Sequence, residues 1–494
     1  MRAPVPRRRG RALLAAVLTV AVALAGCDRL PAAQRSGGAP AASEEDLRYG
    51  AAPAPAPDPD VTLQPDVVLV GGGGRSIRSV TSDGLTWRID GRARNADQLA
   101  PGKVMFVTGR GVGRVLDIAE DGGDLLVTIG PVDITEVIRD GTFAKQGITL
   151  DDPVVYPAGD PSWAESSPAT PSSFGRSRPM RGGLLRAPAA QPVQPPPGRD
   201  GKAATRAQGY RVFSSCCTNG VGAHFTYDDG GVRLLGTVTL TFRRPDAIFH
   251  LAIGAGTVTR AELEISGGFG IKVDFEGGIR DGRNHKKAFP IAADFSFPIG
   301  QVAGIPLSFT VSQTLEVATA FGAKLGTVKG GGEYSLAGKL GFGYANGTFG
   351  PRVTKQFQRR TSLLNSLTGV PVGVMGLVVR HGVRFTVGIS AFLFSAGVYF
   401  ELTTSYGSTL GSALGAPYAQ CRGVAIGVKA TFGIGFRILE PVVKVINKFL
   451  SLLQPSRAPV IPPIPTESGP KWSQAIHSAE EITPKVPACG HPPT

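Results

Sequence analysis

The chain has 494 residues, room for two or three domains. Its 67 Gly and 40 Pro are high for a packed chain, and aromatic residues make up only 7%. The formal charge is +14, but the lysines and arginines are scattered, and a scattered pattern argues against a nucleic-acid partner.

The first eleven residues hold five arginines and no acid. Leu13 to Leu24 follow as Leu, Ala and Val broken only by Thr19. A positive head before an apolar core too short for a comfortable bilayer span is the pattern of an export signal. The core ends in Leu24-Ala25-Gly26-Cys27. These residues resemble the lipobox of bacterial lipoproteins. The resemblance implies removal of residues 1–26 as a signal peptide and lipid (diacylglycerol, with fatty acyl chains such as palmitate) on the Cys27 thiol. It also implies an extracytoplasmic place at the cell membrane or outer envelope, with the membrane itself as partner. It covers 27 residues and nothing beyond them. Asp28, next in the chain, is similar to an inner-membrane retention signal of enteric-type bacteria. Without the five arginines of the head the charge is +9. That balance is suited to an anionic envelope polymer or lipid ligand.

Residues 27–64 are rich in Ala, Pro, Gly, Ser and acids. Such a segment buries too little apolar surface to offset its ordering entropy, so a semi-extended tether is expected. A small β-rich domain is expected over 65–157. Asp66 to Val70, Val104 to Val107, Gly113 to Ile118 and Leu125 to Ile129 are strand-like. Glu120-Asp-Gly-Gly-Asp124 signals a hairpin between the last two. Ile134 to Ile138 reads as one helical turn with Asp133 placed to cap it. Residues 158–209 return to Pro, Ser, Gly and Arg and read as a linker.

The fold class expected is mainly β. From 210 to 454 apolar and polar residues alternate with the period of strands. Phe249, Leu251 and Ile253 alternate with His250, Ala252 and Gly254, and Phe269 to Glu276 does the same. Short glycine-bearing breaks at Gly267-Gly268, Gly330 to Gly332 and Asn346-Gly347 separate the runs. The pattern predicts a large antiparallel meander, a sandwich or curved half-barrel, with a type I′ turn at Asn346-Gly347. Pro441 opens an amphipathic helix over 441–454, with Val442, Val445, Ile446, Phe449 and Leu453 on one stripe, expected to cover the sheet's apolar face. Residues 455–494 read as a Pro-rich tail.

Four cysteines follow Cys27: Cys216, Cys217, Cys421 and Cys489. An even count in an oxidising compartment predicts two disulfides. Adjacent cysteines seldom bond to each other, so Cys216 and Cys217 are expected to pair with Cys421 and Cys489, in either order. No CxxC and no histidine at ligand spacing supports a metal site, and no cofactor motif is present. His224, His250, His285, His381, His477 and His491 are dispersed, and no nucleophile elbow or zinc-protease motif accompanies them. Glu262 and Glu264, two apart on a strand, share a face and could hold a cation or do acid–base work, but a wet sheet face explains them as well. Asp228-Asp229-Gly230 reads as a turn.

Together these features lean away from an enzyme. They predict a membrane-anchored binding or structural module at the surface. A carrier of lipid or another hydrophobic ligand is the first alternative, and a transmembrane β-barrel the second.

Overall fold

The computed structural model describes most of residues 58–157 and 202–489, together with 48–50 and 55. The signal segment, the lipobox with Cys27, Asp28, most of the tether and residues 158–201 lie outside the described residues.

The protein is mainly β, and its described residues form four sheets. A long sheet contains Val154–Pro157, Ala293–Val302, Ile305–Phe321, Val374–Ala391, Phe394–Ala413, Ala416–Ile438 and Lys471–Thr483, with Lys286–Pro290 beside Ile305–Phe321. Three of these strands run 18, 20 and 23 residues. At roughly 3.4 Å per residue they are far longer than an ordinary strand. Two shorter sheets lie against successive stretches of their inner face.

The first, here the facing sheet, runs in the spatial order Lys202–Ala207, Tyr210–Ser215, Gly220–Asp229, Val232–Thr241, Phe269–Ile279 and Gly326–Ala337. Gln356–Arg359 and Thr368–Val370 pair with its last strand. The second, the side sheet, contains Ile138–Thr149, Asp246–Gly254, Thr257–Ser266, Leu340–Ala345 and Thr348–Pro351, with Thr62–Leu63 at its edge.

Alternation sends the apolar residues of each strand inward, where they are removed from water. Register places Phe385, Phe400, Phe432 and Trp472 opposite one another across four neighbouring strands of the long sheet. Phe342 of the side sheet caps this row, 4.9 Å from Phe432 between ring centroids. Further along the same strands, Tyr406 meets Phe275 of the facing sheet at 5.3 Å. Such aromatic pairs contribute about 0.5–1.5 kcal/mol each beyond the area they bury.

The small N-terminal sheet holds Val67–Leu69, Ile77–Val80, Thr86–Asp90, Val104–Thr108, Gly111–Asp121 and Asp124–Gly130. Its pairing is antiparallel except where Val67–Leu69 runs parallel to Val104–Thr108. The hairpin at 120–124 forms, with Gly122 and Gly123 both at positive φ. The turn Ile134–Val137 forms as well, and Glu136 accepts from the Asp133 backbone N–H at 2.8 Å. Asn346 and Gly347, at φ 49 and 82, make the two-residue hairpin that a type I′ turn requires.

Several boundaries differ from the sequence pattern. Residues 138–157, expected in the small domain, supply one strand to the side sheet and one to the long sheet. Lys202–Ala207, expected as linker, is the first strand of the facing sheet. Lys471–Thr483, expected within a loose tail, pairs with Ala416–Ile438 at the edge of the long sheet. Gly330 to Gly332 lie inside a strand, not between strands. The reason is common to all four: strand partners arrive from distant sequence and recruit weakly patterned segments.

The predicted helix 441–454 is described only at Val443, Lys444, Ile446 and Asn447, which are helical. Val443 and Ile446 are buried, and Asn447 exchanges two hydrogen bonds with the Ile464 backbone. Among the described residues the apolar face of the long sheet is covered by the other sheets, as where Phe342 meets Phe432 and Phe275 meets Tyr406.

Candidate functional site

The outward face of the facing sheet carries the clearest constellation. Register aligns Phe213 with His224, His224 with Thr237, Thr237 with Asp274 and Asp274 with Gly331. Residues opposite one another in antiparallel strands project to the same side, so these five form one transverse row across five strands. His224 Nδ1 lies 3.0 Å from Thr237 Oγ1. The Phe213 ring stacks on His224, with centroids 6.2 Å apart and planes 29° apart. Phe213 is 48% exposed. On one side of the row lie Leu235, Glu276 and Lys329, and on the other Thr239, Lys272 and Glu333.

The wall at the end of the row is a short insertion. Between the two stretches that pair with Gly326–Ala337, residues 360–367 leave the edge and form the turn Leu363–Ser366. Ser366 Oγ accepts from the Gly331 N–H at 2.8 Å and lies 2.6 Å from the Gly331 carbonyl, standing in for the missing strand partner. Leu363 and Leu367 are buried. Gly330 and Gly332 make room for the inward side chains: a Cβ on Gly332 would meet Leu363 at 2.9 Å, and one on Gly330 would meet Phe275 at 2.8 Å. Gly331 faces outward, and the Asp274 carboxylate fills the space that its missing side chain leaves.

The result is an open cleft of about 540 Å³. Its charged lining is two lysines and three carboxylates. Lys272 stands 3.7 Å from Asp274, and Lys329 stands 3.7 Å from Glu276. Exposed pairs of this kind contribute little to stability. They do leave a hydrogen-bonding surface that is slightly acidic against the basic balance of the whole chain.

A second, smaller cavity of about 200 Å³ lies where the facing and long sheets meet at their edges. Tyr334, Leu364, Val424, Ile426 and His477 line it, and an Arg359–Glu481 ion pair closes it. Burial, with Glu481 nearby, pushes the Tyr334 phenol up, and burial pulls the His477 imidazole down.

The expected pairing differs at Cys421, which lies against Cys489 with Cα atoms 5.5 Å apart, not against Cys216 or Cys217. Topology decides this. The strand Lys471–Thr483 runs back along Ala416–Ile438 and delivers Cys489 to Cys421, while Cys216 and Cys217 end a strand of a different sheet.

The histidines remain apart. His381 is buried in the core with Nε2 2.9 Å from Gln313 Oε1, and burial pulls its pKa down to about 4. His250 sits opposite Glu262 in the register, its pKa lowered by burial and by Arg260. His285 and His491 lie outside the described residues. Glu262 and Glu264 share a face as expected, and each has a cation near it: Arg260 at 3.5 Å and Lys339 at 2.7 Å. Among the described residues, no group of three or more His, Cys, Asp or Glu side chains is placed to hold a metal ion.

Apart from His224, the row and cleft residues went unrecognised in the sequence because they are spread from 213 to 368 and share no spacing. Only the outward phase of each strand hinted at them.

No curated protein and no solved structure matches the chain. Residues 45–140 match the family model described as Domain of unknown function (DUF8403). Residues 191–472, more than half of the chain, match the model described as Domain of unknown function (DUF8402), and they contain the whole cleft. The chain therefore belongs to the family described as Domain of unknown function (DUF8402).

Proposed function

We propose that this protein is an envelope-anchored, non-catalytic binding module that presents its ligand surface on the facing sheet. The row Phe213–His224–Thr237–Asp274–Gly331 carries this reading. It gathers an exposed aromatic ring and hydroxyl, imidazole and carboxylate groups on one accessible floor. The lipobox resemblance at Cys27 supplies the anchor, and the stretch of chain from Cys27 to the small domain supplies reach.

The packing favours this reading over the two alternatives. A carrier of hydrophobic ligands needs an empty apolar interior, whereas Phe275, Tyr406, Phe342 and Phe432 fill the space between the sheets. A transmembrane barrel needs apolar residues facing outward, whereas here they face inward and Arg380, Lys272 and Glu276 face out.

The test is retention by sedimented cell-envelope material of the purified Cys27→Ser chain, which carries no lipid anchor. With the cleft intact it is expected to co-sediment, and with His224→Ala/Asp274→Ala added, at unchanged thermal stability, to stay in solution. Equal retention of both would remove the cleft from the function. Turnover of a panel of glycans, esters or peptides by the purified protein would overturn the non-catalytic part. Metabolic labelling with an alkynyl fatty acid, lost in Cys27→Ser, tests the anchor.

A further inference from the structure

Resting on the binding reading, we infer that the cleft takes an uncharged, extended polysaccharide laid across the strands, with Phe213 as its stacking platform.

Charge points to a neutral ligand. An anionic polymer would meet three carboxylates among five charged side chains, although the chain as a whole is basic. A basic polymer would meet Lys272 and Lys329, each already facing a carboxylate at 3.7 Å. Hydroxyl groups have neither problem. They donate to Asp274, Glu276 or Glu333 and accept from lysine, and no ion needs to lose its counter-charge.

Shape points the same way. Neighbouring strands lie about 4.8 Å apart, so His224, Thr237 and Asp274 offer polar side chains on three successive strands at that interval. The repeat of an extended pyranose chain is of similar length. A polymer crossing the strands would therefore meet one of these groups at each of three successive sugars. At one end the row closes on Ser366 and the Asp274 carboxylate, which flank the side-chain-free Gly331. At the other end, Phe213 is held by its stack on His224, so its ring is set before a ligand arrives. Among the described residues the large apolar side chains left exposed are Phe213, Val378 and Val486, and only Phe213 is aromatic. An aromatic face left open to water on a polar floor suits the C–H face of a sugar ring better than it suits a charged chain.

The experiment is calorimetric titration of the purified full chain with β-1,4-linked hexasaccharides of glucose and of N-acetylglucosamine, beside polyglutamate and polyphosphate. At least one neutral hexasaccharide is expected to bind, with little dependence on salt, and a trisaccharide of the same sugar is expected to bind more weakly. Phe213→Ala is expected to weaken binding about tenfold, and Phe213→Trp to keep or improve it, with melting temperatures unchanged. Binding of the polyanions alone, or full affinity in Phe213→Ala, would overturn the inference. So would retention by envelope material with no affinity for either sugar, though the binding reading would then stand. Failure to bind envelope material as well would remove both.

Discussion

The Ser468 hydroxyl donates to Asp133 Oδ1 at 2.6 Å, joining residues 335 positions apart. Asp133 precedes the helical turn that leaves the small sheet, and Ser468 also accepts from the Phe436 N–H at 2.8 Å. The contact therefore ties the exit of the small domain to the end of a long-sheet strand. Burial raises the Asp133 pKa, and the Ser468 bond lowers it only in part. A carboxyl whose folded pKa is raised favours folding when protonated, and that share of stability is lost as pH rises through the raised pKa. Ser468→Ala is therefore expected to cost about 1–2 kcal/mol at neutral pH. Asp133→Asn, which keeps an acceptor without the charge, is expected to cost less. Urea unfolding of the two variants checks this, and equal losses would remove the argument.

His381 predicts an acid-sensitive core. Its folded pKa, about 4, lies below its ordinary 6.5 because burial penalises the cation. Between these values the unfolded chain binds the extra proton. Stability from this group is complete above pH 6.5 and falls as pH drops toward 4, by about 3 kcal/mol in all. Unfolding free energy measured across that window is expected to slope in wild type and to flatten in His381→Leu.

Arg384 is 4% exposed and bonds Glu401 and Glu467 at 2.7 Å each, with its guanidinium 3.9 Å over the Tyr399 ring. Burial alone would raise the Glu401 pKa, but Arg384 and Arg437 outweigh it and hold it below the usual carboxylate range. Removing one partner strands a buried charge. Arg384→Met is expected to cost roughly 3 kcal/mol, and the pair Arg384→Met/Glu401→Leu is expected to recover much of that. A double-mutant cycle by chemical denaturation reads the coupling.

Cys421–Cys489 closes a segment of 68 residues. Chain entropy assigns such a loop about 4 kcal/mol of stabilisation, most of it felt at the edge strand Lys471–Thr483. Cys489→Ser is expected to expose that strand to limited proteolysis while the rest of the long sheet stays protected.

Gly331 tests the cleft floor. A Cβ there would push aside the Asp274 carboxylate, the far end of an exposed side chain. Gly331→Val is expected to abolish ligand retention while changing stability by no more than about 0.5 kcal/mol. Gly347→Ala, in a remote hairpin, serves as a control that loses stability through its φ of 82 but keeps the ligand.

Local sequence determined the well-patterned strands and their inward and outward faces, the hairpins at 120–124 and 346–347 and the turn after Asp133, because alternation and turn chemistry are properties of neighbouring residues. Tertiary structure alone decided which strands share a sheet. It sent 138–157 to the large domain, seated Lys471–Thr483 at an edge, paired Cys421 with Cys489 and aligned Phe213, His224, Thr237, Asp274 and Gly331. An alternating strand can pair with many partners of the same polarity. The choice among them rests on packing between distant segments, as where Phe275 meets Tyr406 or Leu363 enters the space left by Gly332, and no local window of residues contains that information.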